Sequence, residues 1–259
     1  MKITKVKQHF IGLSDAEYSN MLNDYAAATS YFDRRNIIES VPLETNPEWL
    51  AARRGHITAS NAKAYLTNGR TKDAGMGETS KSVVKKYVAE LYGWEEPEVS
   101  WNEKATIKRG LLFEKRAREL FKKETGIEIN TKIGFISENI DGINFGYSPD
   151  GYTEKDGKID CLFEIKAYEL QGFMNALDEF AKPEMYYQMQ MAMLIADCPR
   201  CYAIWYCPEL DKIAYIKYTR GMQPLAELQK RNVEALEYIG KLKQLFDYTD
   251  LTDKVKQQQ

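Results

Sequence analysis

Residues able to carry phosphoryl-transfer chemistry fall close together in the middle of the chain. Asp150 follows Ser148-Pro149 at the end of a β-rich piece, and Glu164-Ile165-Lys166 lies in the next one. Residues two apart on a strand share a face, so Glu164 and Lys166 point together while Phe163 and Ile165 point toward the core. Asp156-Gly157 between the pieces is a hairpin signal that folds the Asp150 strand back alongside. Two carboxylates then converge with an ammonium beside them. Carboxylates about 4 Å apart repel by roughly 4 kcal/mol at an effective dielectric of 20. A cation must join them, or one acid must hold a proton. An all-oxygen set with open positions suits Mg²⁺ or Mn²⁺ rather than Zn²⁺. Such an ion activates water and stabilises charge developing on a phosphoryl group. Lys166 would orient or deprotonate that water, and spacing alone does not choose between the two. Glu-X-Lys by itself is also the pattern of an ordinary solvent-facing hairpin, so further walls are needed.

Glu114 is one. Gly110, Glu114, Ala117 and Phe121 share a helical stripe, flanked by Phe113 and Leu120. An ionised carboxylate there is costly unless paired. A metal site or a nearby Lys or Arg accounts for it, and so does a stripe edge reaching water. Gln188 shares a stripe with Met185, Ala192 and Ile195, which turns its amide inward. It can serve a buried backbone group, a phosphate or a water. Arg53 and Arg54 precede Thr58-Ala59-Ser60-Asn61, which reads as a helix start. Helix N–H groups beside an Arg make a phosphate site, and a plain N-cap is the simpler alternative.

The elements that must position these residues follow from periodicity. Ser14 and Glu17 form a capping box that opens a helix to about Ala28, and Pro42 and Asn46-Pro47 punctuate the chain before Trp49. Residues 1–45 are therefore read as a helical N-terminal extension. Residues 67–79 read as a mobile surface loop. Helices are expected at about 80–92 and 105–125, the second stopping at Gly126. Strands follow at 127–137, 143–152 and 158–167. Pro183 introduces a helix at 184–196, then come strands at 201–207 and 212–218 and a helix over Pro224–Phe246. The order predicts an α/β fold, a central mixed β-sheet flanked by helices. The main domain spans 46–248, and 249–259 is expected to be a flexible tail.

Basic and acidic residues number 36 and 38, a formal net charge of −2. That argues against a protein that coats nucleic acid by bulk attraction, but leaves room for one positive channel. No apolar run approaches the roughly 20 residues of a membrane span. The opening MKITKVKQHF lacks a signal-peptide pattern, so a cytoplasmic chain is expected. Cys198, Cys201, Cys207 and Cys161 approach the spacing of an iron–sulfur ligand set. Residues 201–207 read as a strand, however, which holds two of them about 20 Å apart. His9 and His56 cannot form a zinc site without cysteines.

Taken together, five motifs resemble the phage lambda exonuclease and YqaJ-type viral recombinase nucleases. They are Trp49 through Ser60, Gly110-Leu111-Leu112-Phe113-Glu114 with Ala117-Arg118 and Thr125-Gly126, Tyr147-Ser148-Pro149-Asp150-Gly151, Glu164-Ile165-Lys166, and Tyr187-Gln188-Met189-Gln190. They stand in the family's order over about residues 46–220. The resemblance implies a PD-(D/E)XK, restriction-endonuclease-like core and a processive 5′→3′ exonuclease degrading one strand of duplex DNA. The product is a 3′ overhang for a partner single-strand annealing protein. It implies that Asp150, Glu164 and the Ile165 carbonyl bind metal, with two Mg²⁺ expected and Mn²⁺ able to substitute. It further implies that Lys166 assists the attacking water and that Glu114 supports the metal site. Arg53, Ser60, Ser148 and Gln188 map onto the pocket for the 5′-terminal phosphate. It also implies a phage- or prophage-encoded protein of a bacterial host cell and a homo-oligomer, with a ring-shaped trimer as precedent. Two departures stand out. The family's further acid falls here on Ile140, beside Glu138 and Asp141, with Asp141 the expected substitute. Residues 1–45 lie outside the matched region and bear on oligomerisation or partner binding.

Overall fold

Ten consecutive residues, Lys158–Ala167, form a strand whose two faces are both buried. A computed structural model describes residues 36–39, 47–71, 75–95, 101–178 and 183–246. In chain order these form β1 (Asn36–Glu39), α1 (Pro47–Arg53), β2 (Ile57–Thr58), α2 (Ala62–Leu66), α3 (Glu78–Leu91) and α4 (Trp101–Thr125). Then come β3 (Ile133–Ile140), β4 (Ile143–Tyr147), β5 (Gly151–Lys155), β6 (Lys158–Ala167), α5 (Leu170–Asp178) and α6 (Pro183–Ile195). Strands β7 (Arg200–Cys207) and β8 (Lys212–Thr219) and helix α7 (Gln223–Leu245) complete the order. Among the described residues no helix is long and apolar enough to cross a membrane.

The architecture is mixed α/β, with two four-stranded sheets where one central sheet was expected. One sheet has the order β1-β3-β4-β2 and the other β5-β6-β7-β8. The chain passes between them at Ser148-Pro149-Asp150, inside the stretch that its alternation predicts as one strand. Pro149 has no N–H for a ladder. A Cβ on Gly151 would lie 2.1 Å from Ile129 Cγ2, so any larger residue there must displace that side chain or the backbone. The β5–β6 turn follows the prediction: Asp156 and Gly157 have φ of 54° and 73°, the left-handed pair of a tight hairpin.

Strand β6 pairs antiparallel with β5 and parallel with β7. The parallel pairing needs a crossover, supplied by α5 and α6. Helix α4 covers one face of this sheet, with Phe121 against the rings of Phe163, Tyr202 and Tyr215. Helix α6 covers the other face and also packs on β3 and β4. It is thus wedged between the sheets, and every residue from Met189 to Ala196 is buried. The single inward stripe read from its sequence understates this burial.

The predicted helix near residues 14–28 lies outside the described residues. Within the expected helical extension, residues 36–39 instead form β1, antiparallel to β3, which satisfies the backbone groups of that sheet edge. Helix α5 was not among the predicted elements. The base of the expected mobile loop is pinned by an Asn68–Met76 bridge and by Gly77 N–H on the Thr67 carbonyl at 3.0 Å. The guanidinium of Arg231, buried on α7, bonds the Leu66 carbonyl and Asn68 beside it.

Candidate active site

The site forms where β5 peels away from β6. Their last pair is Gly151 with Phe163, and Asp150 N–H still donates to the Phe163 carbonyl at 3.1 Å. From Glu164 onward that edge of β6 has no β5 residue opposite it. The Asp150 side chain takes the strand's place, its Oδ2 accepting the Ile165 N–H at 2.6 Å. One residue's N–H and C=O point to the same side of a strand, so the Ile165 carbonyl faces this edge too.

Glu164 is only 5% exposed. Tyr147, reaching over from the other sheet, donates its hydroxyl to Glu164 Oε2 at 2.8 Å. Lys166 holds Oε1 at 2.7 Å and extends outward, its side chain 41% exposed. Electrostatics follow from this burial. Desolvation, then the carboxylates of Glu164 and Glu114, push the Asp150 carboxyl well above the usual range, against the pull of Lys166 and the Ile165 N–H. Glu164 raises the Lys166 ammonium above an ordinary lysine, outweighing its burial. In this state Lys166 is charged at neutral pH and can donate a proton but not take one. Burial and the two acids also raise the Tyr147 phenol, which stays a donor.

Glu114 projects from α4 on the stripe with buried Ala117 and Phe121. Its partner is Arg118, one turn on, whose Nη1 lies 3.2 Å from Glu114 Oε2 and 3.1 Å from the Asp150 carbonyl. The sequence motif contains Tyr147 and Arg118, but nothing in local spacing reveals what they touch.

The residues expected to hold a phosphate come from four different elements. Strand β2 runs parallel to β4 with Thr58 beside Gly146. The 3-10 turn carrying Ser60 and the turn carrying Ser148 therefore emerge at the same end. Ser60 is exposed, with its hydroxyl 3.0 Å from that of Thr58. The Ser60 turn packs on α6, the helix that bears half-buried Gln188. The amide buried in the core is instead Gln190, which donates to the Thr219 carbonyl at 2.9 Å and accepts from Gly221 N–H at 2.8 Å. Arg53 lies in the last turn of α1, partly buried.

Asp141 is placed elsewhere. It occupies the β3–β4 turn with φ 52°, exposed, with Asn232 Nδ2 3.4 Å from its carboxylate. The length of β4, about 14 Å at strand rise, separates it from Tyr147 and the site. Asp-Gly suits a left-handed hairpin turn, and that turn fixes the residue. Glu138 is the buried acid of β3, on the sheet face shared with Tyr147.

The donors facing the edge are hard oxygens: two carboxylates and a carbonyl. Among the described residues no three Asp, Glu, His or Cys side chains form a ready-made cage. An ion there would complete its shell with water and substrate oxygens, the habit of Mg²⁺. The residues fit that group. The four cysteines are buried and free, and burial pushes the Cys161 and Cys198 thiols up to about 12. Cys201 and Cys207 both lie on β7, at the separation expected of a strand.

Comparison with known proteins completes the picture. No curated protein matches the sequence significantly. Among solved structures, an alkaline exonuclease, LHK-Exo, from Laribacter hongkongensis is similar with a TM-score of 0.60 and 23% identity, covering 83% of this chain and 100% of that one. The same enzyme in complex with dAMP gives 0.59 and 24%, covering 77% and 97%. A phage-related exonuclease from Haemophilus somnus 129PT gives 0.59 and 18%, covering 74% and 96%. The fold is that of the PD-(D/E)XK-type alkaline exonucleases. Residues 48–199 match the YqaJ-like viral recombinase domain, and the chain belongs to that family of recombination nucleases.

Proposed function

We propose that this protein is a Mg²⁺-dependent 5′→3′ exonuclease that degrades one strand of linear double-stranded DNA from a 5′-phosphorylated end. The observation that carries this reading is the Asp150 carboxylate on the Ile165 N–H at 2.6 Å, at an open strand edge shared with Glu164 and Lys166. Asp150, Glu164 and the Ile165 carbonyl would hold Mg²⁺, as one or two ions, or Mn²⁺ in its place. The bound ion supplies charge for the reacting phosphate and a more acidic water. Lys166, beside Glu164 at 2.7 Å, would assist that water. Glu114 supports the ion site from α4. Arg53, Ser60, Ser148 and Gln188 form the wall that receives the 5′-phosphate, two of them on turns that emerge together. The dAMP held by one structural neighbour is a mononucleotide of the kind an exonuclease releases.

The resulting 3′ overhang is the substrate of a single-strand annealing protein, the proposed partner in the host cytoplasm. Assembly as a homo-oligomer, with a ring-shaped trimer as the working form, would keep the enzyme on its DNA. The test uses three substrates with Mg²⁺: 5′-phosphorylated linear duplex, 5′-hydroxyl linear duplex and supercoiled circle. Fast digestion of the first, slower digestion of the second and an intact circle are expected. Rapid cutting of the circle would instead make the protein an endonuclease. Lys166→Ala should abolish digestion while metal-dependent DNA binding persists; cleavage at the wild-type rate would put the active site elsewhere.

A further inference from the structure

Arg118 stands one turn beyond Glu114 on α4 and has no part in the chemistry proposed above. Its Nη1 carries two hydrogens, and their acceptors belong to different elements. One is Glu114 Oε2 at 3.2 Å and the other the Asp150 carbonyl at 3.1 Å. A single nitrogen thus joins the helix to the turn that crosses between the sheets.

That turn needs an anchor. Pro149 contributes no N–H, and Asp150 precedes the first residue of β5. The Asp150 N–H is bound to Phe163 and its carboxylate to Ile165. The carbonyl is the remaining main-chain handle, and Arg118 holds it. The same guanidinium sits against Glu114, the acid expected to support the metal site.

We infer that Arg118 is a positioning residue for the metal-binding carboxylates, fixing the Asp150 turn and Glu114 with one guanidinium so that both face the open edge of β6. Its consequence for rate rests on the nuclease reading; its consequence for metal binding does not. A plain helix-surface ion pair at this spacing contributes little to stability and leaves metal affinity unchanged. Partners that orient metal ligands, by contrast, alter affinity or activity by about 10- to 100-fold. The two roles therefore separate cleanly in measurement.

The experiment compares wild type, Arg118→Ala and Arg118→Lys. Mn²⁺ binding is read by electron paramagnetic resonance without DNA, melting temperature in chelator, and kcat and KM on 5′-phosphorylated duplex at saturating Mg²⁺. For Arg118→Ala we expect Mn²⁺ affinity and kcat each to fall about 10- to 100-fold, with KM for DNA changed less than about threefold. The melting temperature should move by no more than about 2 °C. Arg118→Lys should recover part of both losses, since it keeps charge and a donor but loses the planar fork. Unchanged Mn²⁺ affinity in Arg118→Ala overturns the inference. A raised KM with kcat intact also overturns it, because Arg118 would then contact substrate. So does a large melting loss that accounts for the Mn²⁺ loss and is fully reversed by lysine. If wild type digests no DNA, the nuclease reading fails, and the Mn²⁺ comparison still decides the role of Arg118.

Discussion

The Asp150 carboxyl accepts the Ile165 N–H and faces the acids Glu164 and Glu114, with Lys166 opposing them. Burial and those acids raise its pKa, so the metal-free fold resists its ionisation. A carboxyl raised in the folded state favours folding below its unfolded value, and that contribution is lost as pH climbs toward the folded value. Asp150→Asn removes this liability while keeping an acceptor for Ile165. In chelator the variant should melt about 2–4 °C above wild type at pH 8, a difference near 1 kcal/mol. The gap should narrow as pH falls toward 4, and Mg²⁺ should raise the melting point of wild type alone. Scanning calorimetry across pH checks both; a gap that ignores pH would contradict the electrostatic account. Asp150, Glu164 and Lys166 were legible because residue type and period suffice to bring them together, whereas period gave Glu114 only an apolar stripe and the family resemblance supplied its place beside them. Tyr147 and Arg118 were not, because their partners lie far along the chain. The place of Asp141 in the β3–β4 turn was not anticipated, because Asp-Gly at a hairpin is governed by backbone conformation.

At the scale of elements, the decisive feature is the break between β4 and β5. Alternation continues through residues 143–152 and so predicts one strand. The break comes from Pro149 and from the approach of Ile129 to Gly151, a contact that no local pattern contains. The same holds for α6, whose all-round burial depends on a second sheet that periodicity cannot reveal. Turns were easier, since Asp156-Gly157 and Gly126 act through their own φ. The crowding at Gly151 carries a prediction. Gly151→Ala must displace the Ile129 side chain or shift the turn, an overpacking cost of about 1–3 kcal/mol. Any shift passes directly to Asp150, so cleavage should fall more steeply than stability. Ile129→Ala in the same chain makes room for the new methyl and should restore much of the cleavage. Urea denaturation alongside digestion rates checks this; a double variant no more active than Gly151→Ala would show that the contact does not set the turn.

For the molecule as a whole, composition and site make one joint statement about how DNA is held. The net charge is −2, so long-range attraction to a polyanion is weak. Among the described residues, Lys166 and Arg53 are the cations that the proposed function assigns to DNA, while Arg118 is engaged by Glu114 and Asp150. On the proposed function, such an enzyme would recognise an end through local contacts and a metal, with few phosphates neutralised. With about two or three phosphates neutralised per chain, the slope of log K against log salt is about −2 to −3. Affinity for a 5′-phosphorylated duplex end should therefore fall only about 10- to 50-fold between 50 and 200 mM salt, against about 10³ or more for proteins making six phosphate contacts. Fluorescence anisotropy with a catalytically silent Lys166→Ala chain measures this without digestion; that variant also removes one cation, so its slope is a lower bound for wild type. A slope near −6 in a monomeric preparation would reveal a basic surface beyond the site. The same steep slope in an oligomer would arise from several chains gripping one duplex, so sedimentation under the binding conditions distinguishes the two.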